Sequence, residues 1–409
     1  MSKKVTVVGA GAAGLMAAGK AAERGEEVLL LEKNDRVGKK LLISGKGRCN
    51  ITNNTDIEGL IRNIPGNGNF LHSSFNTFSN ADLIEFFHSE GLETKVERGG
   101  RVFPVSDNAC DVVRMLQQFA ENRGVKIRFN SHVNKIVVKN GSTAGVRLKD
   151  GSFIESDAVV IATGGASYPD TGSTGDGYRM VQILGHRITP LKPSLVPLLV
   201  AEKWVSELQG LSLRNVSITI IDKKYRRIYN DFGEMLFTHF GVSGPVILSC
   251  SRHILQYGYR DVKLVIDLKP AMDEEILDAR LQRDFEKFSR KQFKNSLSDL
   301  LPQKLIPVVI MLSQIQEDKP VNQITKIERR SLAKLLKTFT LEIAGSRPIS
   351  EAIVTAGGVS TDEINPSTME SRLVKGLYLA GEVIDVDAFT GGFNLTIAFS
   401  TGYMAGMNC

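Results

Sequence analysis

Val5-Thr6-Val7-Val8-Gly9-Ala10-Gly11-Ala12-Ala13-Gly14-Leu15 is the stretch whose reading decides the fold. Its β-branched start suits a strand buried on both faces, and that strand stops at Gly9. From Leu15 to Arg24 the chain is alanine-rich, with Leu15, Ala18 and Ala22 on one helical face and Gly25 as a stop. Val28 to Leu31 reads as a second strand, and the acid Glu32 follows it directly. The result is a βαβ unit of about 30 residues with a G-x-G-x-x-G turn between strand and helix. Gly9 permits the tight turn, Gly11 removes a side chain that would bar a pyrophosphate, and Gly14 lets the helix pack close to the sheet. Ala12 and Ala13 lie inside the same turn. The helix N-terminus offers N–H groups to phosphates, and Glu32 stands where a ribose-binding carboxylate is expected.

Working outward, 409 residues suggest two or three domains and exclude a small disulfide-stapled scaffold. The composition, 42% hydrophobic and 23% charged, is that of a soluble globular protein, and no apolar run reaches the length of a membrane span. A net charge of +6 suits an anionic ligand but is too small to mark a dedicated nucleic-acid binder. Cys49, Cys110, Cys250 and Cys409 form no C-x-x-C pair, so a metal knuckle or dithiol centre is unsupported. Gly9, Gly11 and Gly14 would break the apolar helix of a signal peptide, so the reading is a cytoplasmic, untargeted protein.

The parallel-strand signature recurs at Ala158 to Ala162, which runs into Thr163-Gly164-Gly165, and at Gly376 to Ala380, which precedes Gly381-Glu382. Between these the texture changes. Val216 to Ile221, Ile228 to Tyr229 and Val262 to Leu268 read as strands of an antiparallel sheet or barrel, whereas Met272 to Ser298 and Ile324 to Ile343 read as helical. The expected organisation is a discontinuous α/β nucleotide-binding domain, 1–190 and 346–409, interrupted by an insert at 191–345. The insert is barrel-like over about 191–270 and helical over about 271–345.

Two further motifs choose the dinucleotide. After Glu32, the segments Asn34 to Lys40 and Ser44 to Asn50 form two cationic, glycine-containing loops. Lys39, Lys40 and Arg48 can pair with phosphates, and Gly45 and Gly47 let backbone approach a flat ring. A merely solvated loop has no need of Gly38, Gly45 and Gly47 together. Near the C-terminus, Gly381-Glu382 with Asp385 suits the polyol chain of a flavin, and a helix opening at Gly391 to Asn394 can aim its positive end at the ring. Both features require FAD rather than NAD.

The segments GAGAAG, LLISGKGRCNITN, VVIATGGASYPDTGSTGDGY, FTHFGVSGP, TAGGVSTDEI and LYLAGEVIDVDAFTGGFNL together resemble the bacterial BaiN-like flavoproteins, the family related to bile-acid 4,6-reductases and aminoacetone oxidase. The similarity spans essentially the whole chain. It implies a glutathione-reductase-type FAD-binding Rossmann-like domain with an inserted β-barrel plus helical part. It also implies FAD contacts at Gly9, Gly11, Ala13, Gly14, Glu32, Lys33, Lys40, Gly45, Arg48, Cys49, Asn50, Thr163, Gly164, Gly381, Glu382, Asp385, Gly392, Phe393 and Asn394. By analogy with that fold, Val133 meets the adenine through its backbone. Ala12, Gly38, Gly47 and Gly165 complete the candidate set. One departure is Lys46, where a smaller residue such as glycine is expected.

Tyr168 and His239 are the candidates for substrate chemistry, on loops that could close over the flavin. His239 could donate a proton beside a hydride step, or be a hydrogen-bonded structural histidine. Cys49 reads as a small packing residue rather than a redox thiol. The basic clusters Lys223 to Arg227 and Lys326 to Arg330 read as solvated surface. The expected activity is hydride transfer from NADH or NADPH, bound transiently, through FAD to an unsaturated or carbonyl-containing small molecule. An amine or aminoketone oxidase using oxygen is the alternative, and a tRNA-binding flavoprotein is the alternative from another class. The sequence leaves substrate and oligomeric state open.

Overall fold

The computed structural model describes residues 2–409. The chain divides into two compact units, one made of residues up to Ser194 together with Ile349–Cys409, the other of Leu195–Pro348.

The first unit is built on a five-stranded parallel sheet in the order Leu377–Leu379, Ala158–Ile161, Lys4–Val8, Glu27–Leu31, Lys126–Arg128. Val7, Leu30, Val160 and Leu379 are fully buried, as strands covered on both faces require. The helix Ala12–Glu23 crosses from the first strand to the second, and the C-terminal helix Phe393–Asn408 lies along it. Small residues make that approach possible. A methyl group at Gly402 would overlap the Ala13 carbonyl, and one at Gly406 would overlap that of Ala17. A three-stranded sheet of Thr52–Asn53, Arg101–Pro104 and Thr94–Glu97 and an antiparallel meander, Val133–Lys139, Ser142–Leu148 and Phe153–Glu155, complete the unit. Where the chain leaves and returns, Ile188–Ser194 pairs antiparallel with the wholly buried strand Val354–Val359.

The second unit is a closed six-stranded antiparallel barrel in the order Leu198–Val200, Gly241–Ser243, Arg227–Thr238, Ser212–Asp222, Val262–Asp267, Phe339–Ser346. Period-two alternation puts Val216, Ile218, Ile220, Leu264, Ile266, Phe339 and Leu341 inside. Helices Glu274–Lys287, Ile306–Ser313 and Lys326–Lys337 follow, the last opened by a Thr325/Glu328 capping box. The structure corrects one boundary here. The helical reading of Ile324 to Ile343 ends at Lys337, because Phe339, Leu341 and Ile343 alternate inward as the strand that closes the barrel. The strand read at Ile228 to Tyr229 is also far longer, spanning Arg227–Thr238. Among the described residues no helix is long and apolar enough to cross a membrane.

Candidate active site

The glycine-rich turn forms a backbone cradle at the N-terminus of helix Ala12–Glu23. A Cβ at Gly14 would overlap the Gly9 carbonyl, whereas a Cβ at Gly11 would meet nothing within 4 Å. So Gly14 is required by packing, and Gly11 faces open space. The helix has no side-chain cap and no acid in its first turn, which leaves its first N–H groups and positive end uncompensated. Helix Phe393–Asn408 begins in the same state, from Gly392 in the left-handed region at φ +99°. A space in front of Gly11 and two uncapped helix N-termini on packed helices fit a long anionic dinucleotide.

Glu32 is buried, with Oε2 accepting from Ala10 N (2.8 Å) and Oε1 from Asn34 N (2.8 Å) and Asn34 Nδ2 (2.7 Å). Oε2 thus keeps one lone pair for a hydroxyl donor. Asn34, which the sequence reading passed over, also donates to the Thr171 carbonyl and so ties the Glu32 loop to the segment after Tyr168. Gly38 serves packing: a Cβ there would press on Val113 at 2.8 Å, and its N–H donates to the Ala10 carbonyl.

The cations are where structure and sequence reading differ most. Lys40 Nζ does not stand free for a phosphate; it donates to Glu382 Oε2 (2.6 Å) and Ser167 Oγ (2.7 Å). Glu382 Oε1 accepts from Thr355 N (2.9 Å) and Ser167 Oγ (3.1 Å). Burial alone would raise the Glu382 pKa, but Lys40 and these donors hold it below the ordinary carboxylate range. Tyr178 donates to the Glu382 carbonyl, and burial with the nearby Glu382 and Asp385 charges pushes its phenol far up. Lys33 is likewise engaged, by Asp176 Oδ2 and Thr174 Oγ1, each at 2.6 Å. Arg48 is paired with Glu97 and Asp107, and its guanidinium sits 4.0 Å from the centre of the Phe103 ring. Lys39 pairs with Asp35 at 3.0 Å. Lys40, Lys33 and Arg48 found their carboxylates because distant segments brought them close, whereas Lys39 found its own four residues back in the same loop.

The Ser44 to Asn50 loop is shaped by left-handed backbone. Lys46 (φ +60°) and Cys49 (φ +61°) adopt it beside Gly45 and Gly47. That conformation explains why glycine was the expected residue at 46, and the Lys46 side chain is exposed. Cys49 is fully buried and burial pushes its thiol up to about 12, the behaviour of a packing residue. Asn50, with its amide oxygen toward Gly392 N (2.9 Å) and its nitrogen toward the Thr52 and Val102 carbonyls (3.1 Å each), ties this loop to the start of the C-terminal helix. Asn53 reinforces the tie by donating to the Gly391 carbonyl.

The rest of the C-terminal motif is largely architectural. Asn394 closes the turn before its own helix, accepting from Ala388 N and donating to the Ala388 and Phe389 carbonyls, and Phe393 is buried beneath Gly391. Gly381 lies against the Ala13 methyl group, and Gly165 against Thr355 and Glu382. The Asp385 carboxyl is raised by burial and by Asp387. Thr163 Oγ1 is buried without a hydrogen-bond partner, in contact range of Gly177, and Gly164 is left-handed at φ +72°. Val133 is buried at the start of its strand opposite Leu148. Tyr168 is left-handed at φ +52°, with its N–H donating to the Ser350 carbonyl. In the second unit, His239 is exposed on the turn between Arg227–Thr238 and Gly241–Ser243, edge-on to Phe240 at 4.9 Å.

Residues 3–408 match the family described as HI0933-like protein Rossmann domain. The chain belongs to that family. It is 33% identical over 408 residues to a 3-dehydro-bile acid delta(4,6)-reductase of Clostridium scindens, covering 98% of each chain. It is 32% identical over 408 residues to a ribosomal RNA dihydrouridine synthase of Haemophilus influenzae, covering 98% of this chain and 97% of that one. Among solved structures, a 3-ketosteroid delta1-dehydrogenase from Sterolibacterium denitrificans aligns over 99% of both chains with a TM-score of 0.54 at 13% identity, which bears on the fold alone. Family and fold together make this an oxidoreductase of the FAD-binding Rossmann type, and the family is the BaiN-like one the sequence motifs resembled.

Proposed function

We propose that the protein is an FAD-dependent reductase that takes hydride from NADH or NADPH and delivers it to a carbon–carbon double bond conjugated with a carbonyl group. The observation that carries this reading is the near-equal, full-length similarity to two relatives with very different substrates. A bile-acid delta(4,6)-reductase and a dihydrouridine synthase, by their names, both add two hydrogens to a ring double bond. What such relatives share is chemistry, and what differs is the docking of the substrate.

The first unit has the parts this chemistry needs. The open space at Gly11 and the uncapped N-terminus of Ala12–Glu23 would take the pyrophosphate, and Glu32 Oε2 would accept from a ribose hydroxyl. The N-terminus of Phe393–Asn408, anchored by Asn50 and Asn53, would place positive potential beside the ring. FAD, when bound, supplies a two-electron carrier that stores hydride between the two half-reactions. The Lys40–Glu382 pair holds Ser167 and Thr355 in place and so keeps the loop after Thr163 in register. Tyr168 is the proton-donor candidate on this unit.

The test is anaerobic. Purified protein loaded with FAD is titrated with NADH and with NADPH, and loss of the 450 nm-region flavin absorbance is the expected result. Reduced protein is then mixed with a 3-oxo-delta(4,6) steroid acid or with protein-free ribosomal RNA, and the colour returns with one of them. No bleaching by either nicotinamide overturns the reading, and rapid reoxidation by oxygen with an aminoketone as reductant replaces it by the oxidase.

A further inference from the structure

The net charge is not spread over the chain. Between Leu195 and Pro348 there are 24 Lys and Arg against 18 Asp and Glu, and in the remaining residues 27 against 27, so the whole +6 belongs to the barrel and its helices. The densest part is the hairpin that joins the two longest barrel strands, Ser212–Asp222 and Arg227–Thr238. Its tip reads Lys223-Lys224-Tyr225-Arg226-Arg227, and all five residues are exposed.

This tip is held in one shape. Asp222 Oδ1 accepts from Lys224 N (2.8 Å) and Arg226 N (2.9 Å), Oδ2 accepts from Arg226 Nε (2.7 Å), and the Asp222 carbonyl accepts from Tyr225 N (2.9 Å). At its summit Tyr225 is 76% exposed and in the left-handed region at φ +58°. A glycine would adopt this conformation without the steric strain that a bulky side chain carries there. An aromatic ring thus stands at a strained, solvent-facing position. Lys223 is neutralised by Asp261 (2.7 Å) and Arg226 by Asp222 (2.7 Å), but Lys224, Arg227 and the exposed Arg260 have no carboxylate partner among the described residues. An exposed ring on a hydrogen-bonded hairpin tip, flanked by uncompensated cations, is the combination that grips a nucleic-acid strand, the ring under a base and the cations on phosphates.

We propose that the tip of this hairpin docks RNA, with Tyr225 stacking on an unpaired base and Lys224 and Arg227 contacting the flanking phosphates. The proposal rests on the reductase reading above and assigns its substrate class, with RNA as the molecule that carries the conjugated double bond.

The experiment uses the full-length holoprotein and protein-free bacterial ribosomal RNA, with affinity measured by fluorescence anisotropy from about 50 mM salt upward. Lys224→Gln with Arg227→Gln is expected to weaken binding at low salt and to make the slope of log affinity against log salt shallower by about 1.5. Tyr225→Ala is expected to weaken binding roughly tenfold with the slope unchanged, and Tyr225→Phe to restore it. Bleaching of the flavin by reduced nicotinamide, measured on the same samples, reports on the reductase reading separately. The docking proposal is overturned if RNA is not retained at low salt, or if the Lys224→Gln/Arg227→Gln and Tyr225→Ala proteins bind like the parent. It is also overturned if phosphatidylglycerol vesicles are bound as tightly as RNA with the same losses. Any of these outcomes with bleaching intact leaves the reductase reading standing, and absent bleaching with RNA binding intact removes that reading alone.

Discussion

Lys40→Met tests the node that joins three separated parts of the first unit. The substitution keeps the side-chain length but leaves Glu382, 19% exposed, without its cation, while the Thr355 N–H and Ser167 hydroxyl still donate to it. Stranding one partner of a fully buried pair costs about 3–5 kcal/mol; because Lys40 is itself 29% exposed, we discount this to about 2 kcal/mol. For a unit of this size that corresponds to a melting temperature lower by roughly 4–8 °C. The pH dependence should change sign as well. In the parent, the Glu382 pKa lies below 4.5, so its contribution is present above the unfolded-state value and is lost as pH falls through the depressed one. In Lys40→Met the raising effect of burial, already the largest single influence, is no longer outweighed, and the pKa is expected to rise above the unfolded value. The deficit is then greatest at neutral pH and shrinks on acidification. Melting curves of parent, Lys40→Met and Lys40→Met/Glu382→Gln from pH 5 to 8 decide the matter, with the double variant recovering most of the loss. A Lys40→Met protein that melts within about 1 °C of the parent throughout, or a double variant no better than the single, refutes the reasoning.

Gly11→Val should leave the apo fold intact and abolish retention of flavin absorbance on gel filtration, since nothing in the chain occupies that space, whereas Gly14→Val should unfold the unit; equal melting of the two would contradict the packing argument. His186 is buried between Glu363 (3.0 Å) and Ser371 (2.9 Å), and burial lowers its pKa. Its neutral form therefore contributes stability above the unfolded value near 6.5 that is lost as pH falls through the depressed one, so His186→Gln should flatten the stability profile between about pH 7 and 5 in denaturant titrations. Native protein should react with one equivalent of a thiol reagent, at exposed Cys110, because Cys49, Cys250 and Cys409 are buried with raised thiol pKa values; loss of that reaction in Cys110→Ser, with no residual fast phase, is the check.

The contrast between what local sequence decided and what it could not is physical. The βαβ start, the parallel strand at Ala158–Ile161 and the helix at the C-terminus were legible because hydrophobic period and glycine sterics act over a few residues, and no distant segment can reverse an overlap such as that between Gly14 and the Gly9 carbonyl. The strand that closes the barrel was misread as helix because the Lys326–Lys337 pattern runs into it without a glycine or proline to mark the change. The charged side chains were legible only as charges. Lys40 meets Glu382 across 342 positions of sequence, and Lys33 meets Asp176 across 143. A long flexible cation takes whichever carboxylate the fold brings within reach, so its partner is a property of the tertiary structure. The same holds for the basic hairpin: its composition is in the sequence, but the exposed ring at its summit and the cations left unpaired beside it exist only once the barrel strands place them there.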